Sequence, residues 1–332
     1  MARHTSPEIT EEHEFPDNHL AMTLFGEQNS NLKVLPENLN LKVTNRGNIA
    51  RFKGSQNDVD IAKDVLTYLY NTLKDGAQNI EPQDVLSAIR FAKKNLYKTG
   101  KTTTMTDEET RPSQVIKLSK RDIKARTPNQ AIYIEALHKS DMIFGMGPAG
   151  TGKTYIAVAK AVSLYEKGEV EKMIFCRPAV EAGEKLGFLP GDLKEKTDPY
   201  LAPIYDALYD FLGAERTENL LAKKAIEIAP LAFMRGRTLS QACVVLDEAQ
   251  NTTSAQMKMF LSRMGDGSKM IINGDPHQID LLPNQISGLK EADAILKDIK
   301  EVAFVEFDHN DVVRHTLVAK ILRAYDQSSH GY

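Results

Sequence analysis

Residues 147–154 read Gly-Pro-Ala-Gly-Thr-Gly-Lys-Thr and fill every fixed position of the pattern G-x-x-x-x-G-K-[ST]. The residue types at this spacing fit a phosphate cradle. Gly147, Pro148, Ala149, Gly150, Thr151 and Gly152 form a turn that aims successive backbone N–H groups at an anion. Lys153 adds a point charge for the β- and γ-phosphates, and the Thr154 hydroxyl is a hard oxygen ligand for Mg²⁺. Apolar Met142-Ile143-Phe144 precedes the turn, and a helix-favouring run from Tyr155 to Val162 follows it. Strand, glycine-rich loop and helix place the phosphate at a helix N-terminus, where orphan N–H groups and the dipole favour negative charge. Tyr155 belongs to that first helical turn and counts with the nucleotide-binding residues.

A second set lies about 90 residues on. Val244-Val245-Leu246 ends in Asp247-Glu248. An acid at a strand's end can hold the water shell of Mg²⁺, which is the role expected of Asp247. Glu248 beside it can act as general base on an attacking water. A third apolar run, Ile271-Ile272, leads into Asn273-Gly274-Asp275-Pro276-His277-Gln278, where Gln278 or Asn273 could sense a γ-phosphate. Gln130, in Thr127-Pro128-Asn129-Gln130, offers the donor and acceptor that an adenine edge requires. Arg177, Arg235, Arg237 and Arg314 are ordinary surface ion-pair partners by default. Arg314 is the choice for a phosphate-facing finger, a group worth about 10³–10⁵ in rate where present. His277, His309 and His315 lack zinc-ligand spacing, so no metal is expected beyond Mg²⁺ with nucleotide.

The elements that must position these groups are legible as five apolar runs: Met142–Met146, Met173–Cys176, Cys243–Leu246, Met270–Ile272 and Val302–Phe307. Helical segments separate most of them, which predicts an α/β fold with a parallel sheet covered by helices on both faces. Such sheets bind ligands at the carboxyl ends of their strands, where each motif above falls. Ahead of this core, residues 1–18 read as a disordered tail and 19–98 as a small α/β domain. Within it, Leu39, Leu41 and Val43 alternate as a strand, Ile49–Lys53 is the return strand, and Asp58 caps a helix through Leu73. A second helix covers Pro82 to Tyr97. Residues 99–126 form a linker with a basic segment of Lys117, Lys120, Arg121, Lys124 and Arg126, read either as a solvated linker or as a phosphate-contacting arm. The P-loop domain runs over 127–325 and a tail over 326–332.

Composition bounds the function. The 332 residues carry a net charge of −3, which gives no global attraction to nucleic acid. Contact with RNA or DNA must come from a local patch or an oligomeric channel. No apolar run approaches the ~20 residues of a membrane helix. The polar, acidic N-terminus is neither a signal nor a transit peptide, so a cytoplasmic location is expected. Cys176 and Cys243, the only cysteines, each sit in an apolar run and read as core thiols.

Taken together, the P-loop Gly147–Thr154, the run Arg177-Pro178-Ala179-Val180-Glu181-Ala182-Gly183-Glu184, Gly187-Phe188-Leu189-Pro190-Gly191, Leu246-Asp247-Glu248-Ala249-Gln250-Asn251 and Gly274–Gln278 resemble PhoH-like ATPases. The resemblance implies a P-loop core similar to the first motor domain of superfamily 1 helicases (RecA-like), preceded by a KH-like domain. It implies ATP and Mg²⁺ as cofactors, Gln130 as the adenine-reading glutamine, Asp247-Glu248 as the Walker B pair and Gln278 as the γ-phosphate-linked glutamine. It also implies RNA metabolism and partnership with an RNA-processing nuclease. Gly26-Glu27-Gln28-Asn29 departs from the G-x-x-G clamp of nucleic-acid-binding KH modules at its last residue, which weakens the expectation that this domain binds RNA.

Three functions follow from these motifs. The first is an ATPase that remodels or moves along RNA. The second is a nucleotide-dependent switch or scaffold that recruits a partner nuclease without unwinding. The third is a kinase, disfavoured because the adjacent acids select water as acceptor. About 18 residues follow Arg314, too few for a second motor domain. The expectation is therefore a ring-like homo-oligomer, with a hexamer as one candidate. A neighbouring subunit would complete the site with an arginine such as Arg314 or Arg237.

Overall fold

The computed structural model describes residues 8–93, 114–178, 193–282 and 284–312. They form two compact units.

The first unit runs β1 (Ile9–Glu14), α1 (Asn18–Phe25), α2 (Ser30–Asn38), β2 (Leu41–Arg46), β3 (Ile49–Gly54), α3 (Gln56–Lys74) and α4 (Pro82–Lys93). Its antiparallel sheet has the order β1-β3-β2. Strand β1 corrects the expectation of a disordered tail across residues 1–18. Its acidic residues find cations on neighbouring elements: Glu12 pairs with Arg51 at 2.5 Å and Glu11 with Lys63 at 2.6 Å. The helix over 56–74 is present, but Ser55 rather than Asp58 is its N-cap, accepting from the Asp58 amide at 3.2 Å. That helix buries Val59, Ala62, Leu66, Leu69 and Leu73 against Phe52, Leu35 and Ile89. Each such valine or leucine contributes about 1.5–3 kcal/mol on leaving water. In the Gly26–Asn29 turn, Asn29 adopts the left-handed conformation at φ 60 and ψ 30. Asparagine tolerates that region better than other non-glycine residues. The turn is thus made without a second glycine.

The second unit contains a two-stranded ribbon, β4 (Val115–Ile116) with β5 (Ile123–Lys124), and a six-stranded sheet. The remaining order is α5 (Pro128–Lys139), β6 (Met142–Met146), α6 (Lys153–Glu166), β7 (Lys172–Arg177), α7 (Leu193–Leu212), α8 (Ala214–Ala222), β8 (Ile226–Pro230), β9 (Ala242–Leu246), α9 (Ser254–Leu261), β10 (Lys269–Gly274), α10 (Gly288–Leu296) and β11 (Val302–Glu306). All pairings in the large sheet are parallel, in the order β11-β6-β10-β9-β7-β8. The five apolar runs are β6, β7, β9, β10 and β11. They are continuously apolar because successive residues enter opposite cores. Ile143, Met173, Phe175, Cys243, Val245 and Ile271 pack with α5, α6, α7 and α8. Phe144, Ile174, Cys176, Val244, Leu246 and Ile272 pack with α9 and α10. Both cysteines are free, buried thiols.

The basic segment is not a free linker but carries this ribbon, with its apolar residues inward and Lys117, Lys120, Arg121, Lys124 and Arg126 exposed. Ile116, Leu118 and Ile123 are buried in the core. Lys120 donates to the Asp210 carbonyl at 3.0 Å, and the Arg121 guanidinium pairs with the Asp210 carboxylate. Among the described residues, no helix is long and apolar enough to cross a membrane.

Candidate nucleotide site

Strand β6 lies between β11 and β10, and the chain leaves it for β7 on the far side of β9. That reversal of strand order opens a crevice at the carboxyl edge of the sheet. The P-loop occupies it. Gly147, Gly150 and Gly152 have φ of 139, 80 and 83, values open to glycine and costly to other residues. Gly147 also lies against the Phe307 carbonyl, which leaves no room for a side chain. The Gly147 amide donates to the Gly274 carbonyl at 3.0 Å, tying the loop to the end of β10. Helix α6 starts at Lys153 with Gly152 as N-cap and no side-chain cap. Its first N–H groups therefore remain available to an anion.

Lys153 is buried, and its ammonium donates to the carbonyls of Gly147 at 2.6 Å and Pro148 at 2.8 Å and to Thr151 Oγ1 at 3.2 Å. Burial lowers its pKa, while Asp275, Asp247 and Glu248 raise it. Thr154 Oγ1 donates to Asp247 Oδ1 at 2.8 Å. A hydroxyl and a carboxylate side by side are a hard oxygen pair suited to Mg²⁺ and its waters. Uncapped N–H groups, a buried ammonium and this oxygen pair fit a Mg²⁺–nucleoside triphosphate. The triphosphate would lie on the loop and Lys153, and the metal on Thr154 and, through water, Asp247.

The acidic pair is positioned by sheet register. Cys176 pairs with Leu246, and the Asp247 amide donates to the Cys176 carbonyl at 2.9 Å. Arg177 therefore stands beside Asp247 at adjoining strand ends. Its Nε and one terminal nitrogen reach Asp247 Oδ2 at 3.0 and 2.5 Å. Glu248 then turns left-handed at φ 55 and points a half-exposed carboxylate outward. Gln250 Nε2 holds that carboxylate at 2.7 Å, while Gln250 Oε1 accepts from the Asp275 amide at 3.0 Å.

The remaining expected residues divide. Tyr155 Oη donates to Asp210 at 2.7 Å, so this residue can meet a nucleotide only through its backbone. Gln130 is buried under the loop and donates to the Thr151 carbonyl at 2.9 Å. Asn273 is fully buried and accepts from Tyr133 Oη at 2.6 Å. Gln278 is exposed just past β10, its amide donating to the Asp275 carbonyl at 3.1 Å. Arg237 makes a two-pronged bond to Glu227 at 2.6 and 2.8 Å. Arg314 and most of the Arg177–Gly191 motifs lie outside the described residues.

A family model described as PhoH, PhoH-like protein, matches residues 122–326. The chain belongs to the PhoH-like family. It is 51% identical over 310 residues to a PhoH-like protein of Bacillus subtilis, covering 93% of this chain and 95% of that one. A PhoH-like protein of Mycobacterium bovis is 45% identical over 311 residues, covering 92% and 85%. Among solved structures, the SWI2/SNF2 ATPase core of Sulfolobus solfataricus in complex with dsDNA aligns over 55% of this chain and 46% of that chain. Its TM-score is 0.33 and its identity 13%.

Two site residues of this PhoH-like chain escaped the sequence reading. From sequence, Arg177 reads as a default surface cation and Gln250 carries no role. Both need the β7–β9–β10 register to bring them to the acids. The usable signal for Arg177 was its place one residue after an apolar run, the position that Asp247 holds on its own strand.

Proposed function

We propose that this PhoH-like protein is a Mg²⁺-dependent ATP hydrolase whose turnover is coupled to RNA. The observation that carries the reading is one constellation: buried Lys153 on the loop, Thr154 on Asp247, and Glu248 held outward by Gln250. Bound Mg²⁺–ATP supplies the polarised γ-phosphate. Lys153 and the α6 N-terminus hold the triphosphate, Asp247 orients the metal's water shell, and Glu248 accepts a proton from the attacking water. The half-exposed Glu248 favours water over a buried acceptor, which supports hydrolysis over kinase chemistry.

Coupling to RNA rests on the βααββα order of the first six elements of the first unit and on Asn29, whose left-handed turn supports a working loop despite the missing glycine. Assembly into a ring and service to an RNA-processing nuclease in the cytoplasm are part of the same proposal. Arg237 is committed to Glu227, whereas Arg235 is exposed. Arg235 or Arg314 is thus the finger offered to a neighbour's phosphate. The test is phosphate release with and without RNA and DNA, alongside native mass measurement with ATP and Mg²⁺. RNA-stimulated release by an oligomer supports the proposal. Slow release indifferent to RNA favours the switch, and full activity in a monomer refutes the shared site.

A further inference from the structure

Asp247 is 3% exposed, and both of its oxygens are engaged. Oδ1 accepts from Thr154, and Oδ2 takes two N–H groups from Arg177. A carboxylate this deep needs a cation, because leaving it uncompensated is strongly unfavourable. In this structure the cation is Arg177, itself largely buried, with 15% of its side chain exposed. A dication held by Thr154 and Asp247 must share the pocket with that guanidinium. Glu248 Oε1 lies 3.9 Å from the same Arg177 nitrogen and is a second acidic acceptor within reach.

We propose that Arg177 is a positioning residue that acts through Asp247 as an exchangeable counter-cation. It neutralises the Walker B acid before metal arrives, and it must slip from Oδ2 toward Glu248 for Mg²⁺ to be held. Metal loading is then a cation exchange, and Arg177 sets its threshold. No bond forms or breaks covalently, and the net change is one hydrogen-bond partner for another. Guanidinium suits the task because it stays charged and its fork can keep one donor on each acid during the transfer. The inference rests on the nucleotide-site reading above.

The test is equilibrium binding of a fluorescent, non-hydrolysable ATP analogue to the full chain, titrated with Mg²⁺ from an EDTA baseline. In Arg177→Gln the half-saturating Mg²⁺ falls about tenfold, the scale of one charge-assisted hydrogen bond to a buried acid. Arg177→Lys keeps the charge and loses the fork, so its midpoint falls about threefold. A purely structural arginine would lower thermal stability without moving the midpoint. An unchanged or higher midpoint in folded Arg177→Gln overturns the proposal. If that variant does not fold, an unchanged midpoint in Arg177→Lys overturns it instead. Wild-type protein that binds no nucleotide at any Mg²⁺ concentration overturns the site reading itself, and this inference with it.

Discussion

Replacing Gln250 with leucine separates positioning of the base from binding of the nucleotide. Gln250 is 2% exposed and spans two groups, donating to Glu248 at 2.7 Å and accepting from the Asp275 amide at 3.0 Å. Leucine keeps the bulk and loses both bonds. Half-exposed Glu248 regains water, so that bond is discounted to about 1 kcal/mol. The Asp275 amide has no such recourse, and a buried orphan donor costs about 1–3 kcal/mol. The variant is therefore about 3 kcal/mol less stable, which for a unit of this size lowers Tm by about 6–12 °C. Glu248 loses the hydrogen bond that tethers it to the framework, with Arg177 3.9 Å away, and a loosely held base costs roughly 10–100-fold in rate. Neither bond reaches the P-loop, so nucleotide affinity changes less than about threefold. Phosphate release under single-turnover conditions and fluorescent-nucleotide binding, both measured well below the variant's Tm, separate the two effects. Unchanged release at lowered Tm would refute the positioning role. An equal loss of affinity and rate would show that Gln250 supports the whole site instead.

Two further outcomes follow from the geometry. Gly147→Ala forces a side chain against the Phe307 carbonyl at φ 139, so it costs at least ~3 kcal/mol and abolishes nucleotide binding, as thermal melting and nucleotide titration will report. Buried Lys160 has its pKa lowered to about 8 by burial, then by Lys269 and Lys167, against an ordinary 10.5. The unfolded chain then binds more protons between pH 8 and 10.5, so stability rises with pH across that window. At about 1.4 kcal/mol per pH unit the upper bound is about 3 kcal/mol. Urea unfolding of wild type and Lys160→Met at pH 7.5, 9 and 10 tests this, and parallel stability curves would contradict it.

The core strands were readable because both faces of the large sheet are buried. Any strand there must be apolar throughout, as Cys243–Leu246 and Met270–Ile272 are. Two of the missed strands, β1 and β8, lie at the edges of larger sheets, and the other two, β4 and β5, form the short ribbon. In β1, Glu11, Glu12 and Glu14 look like a solvated tail until Arg51 and Lys63 are brought to them by the fold. In β8, Ile226-Glu227-Ile228-Ala229-Pro230 is short, carries a glutamate and ends in proline, as an edge strand can. The site divides on the same principle. The P-loop and Asp247-Glu248 are contiguous in the chain, so their spacing alone exposes them. Arg177 meets Asp247 across 70 residues, and Gln250 meets Asp275 across 25. No local pattern encodes either contact, because both depend on which strands become neighbours.

The central claim is that the P-loop, Asp247 and Glu248 form a hydrolytic site. Glu248→Gln keeps the shape of the side chain and removes the base. Bound ATP and released phosphate, measured on the same Mg²⁺-containing sample, test the claim most directly. The account predicts ATP retained at wild-type occupancy with release slowed at least ~100-fold, and Lys153→Ala as the control that loses occupancy. Release at the wild-type rate in Glu248→Gln would contradict it.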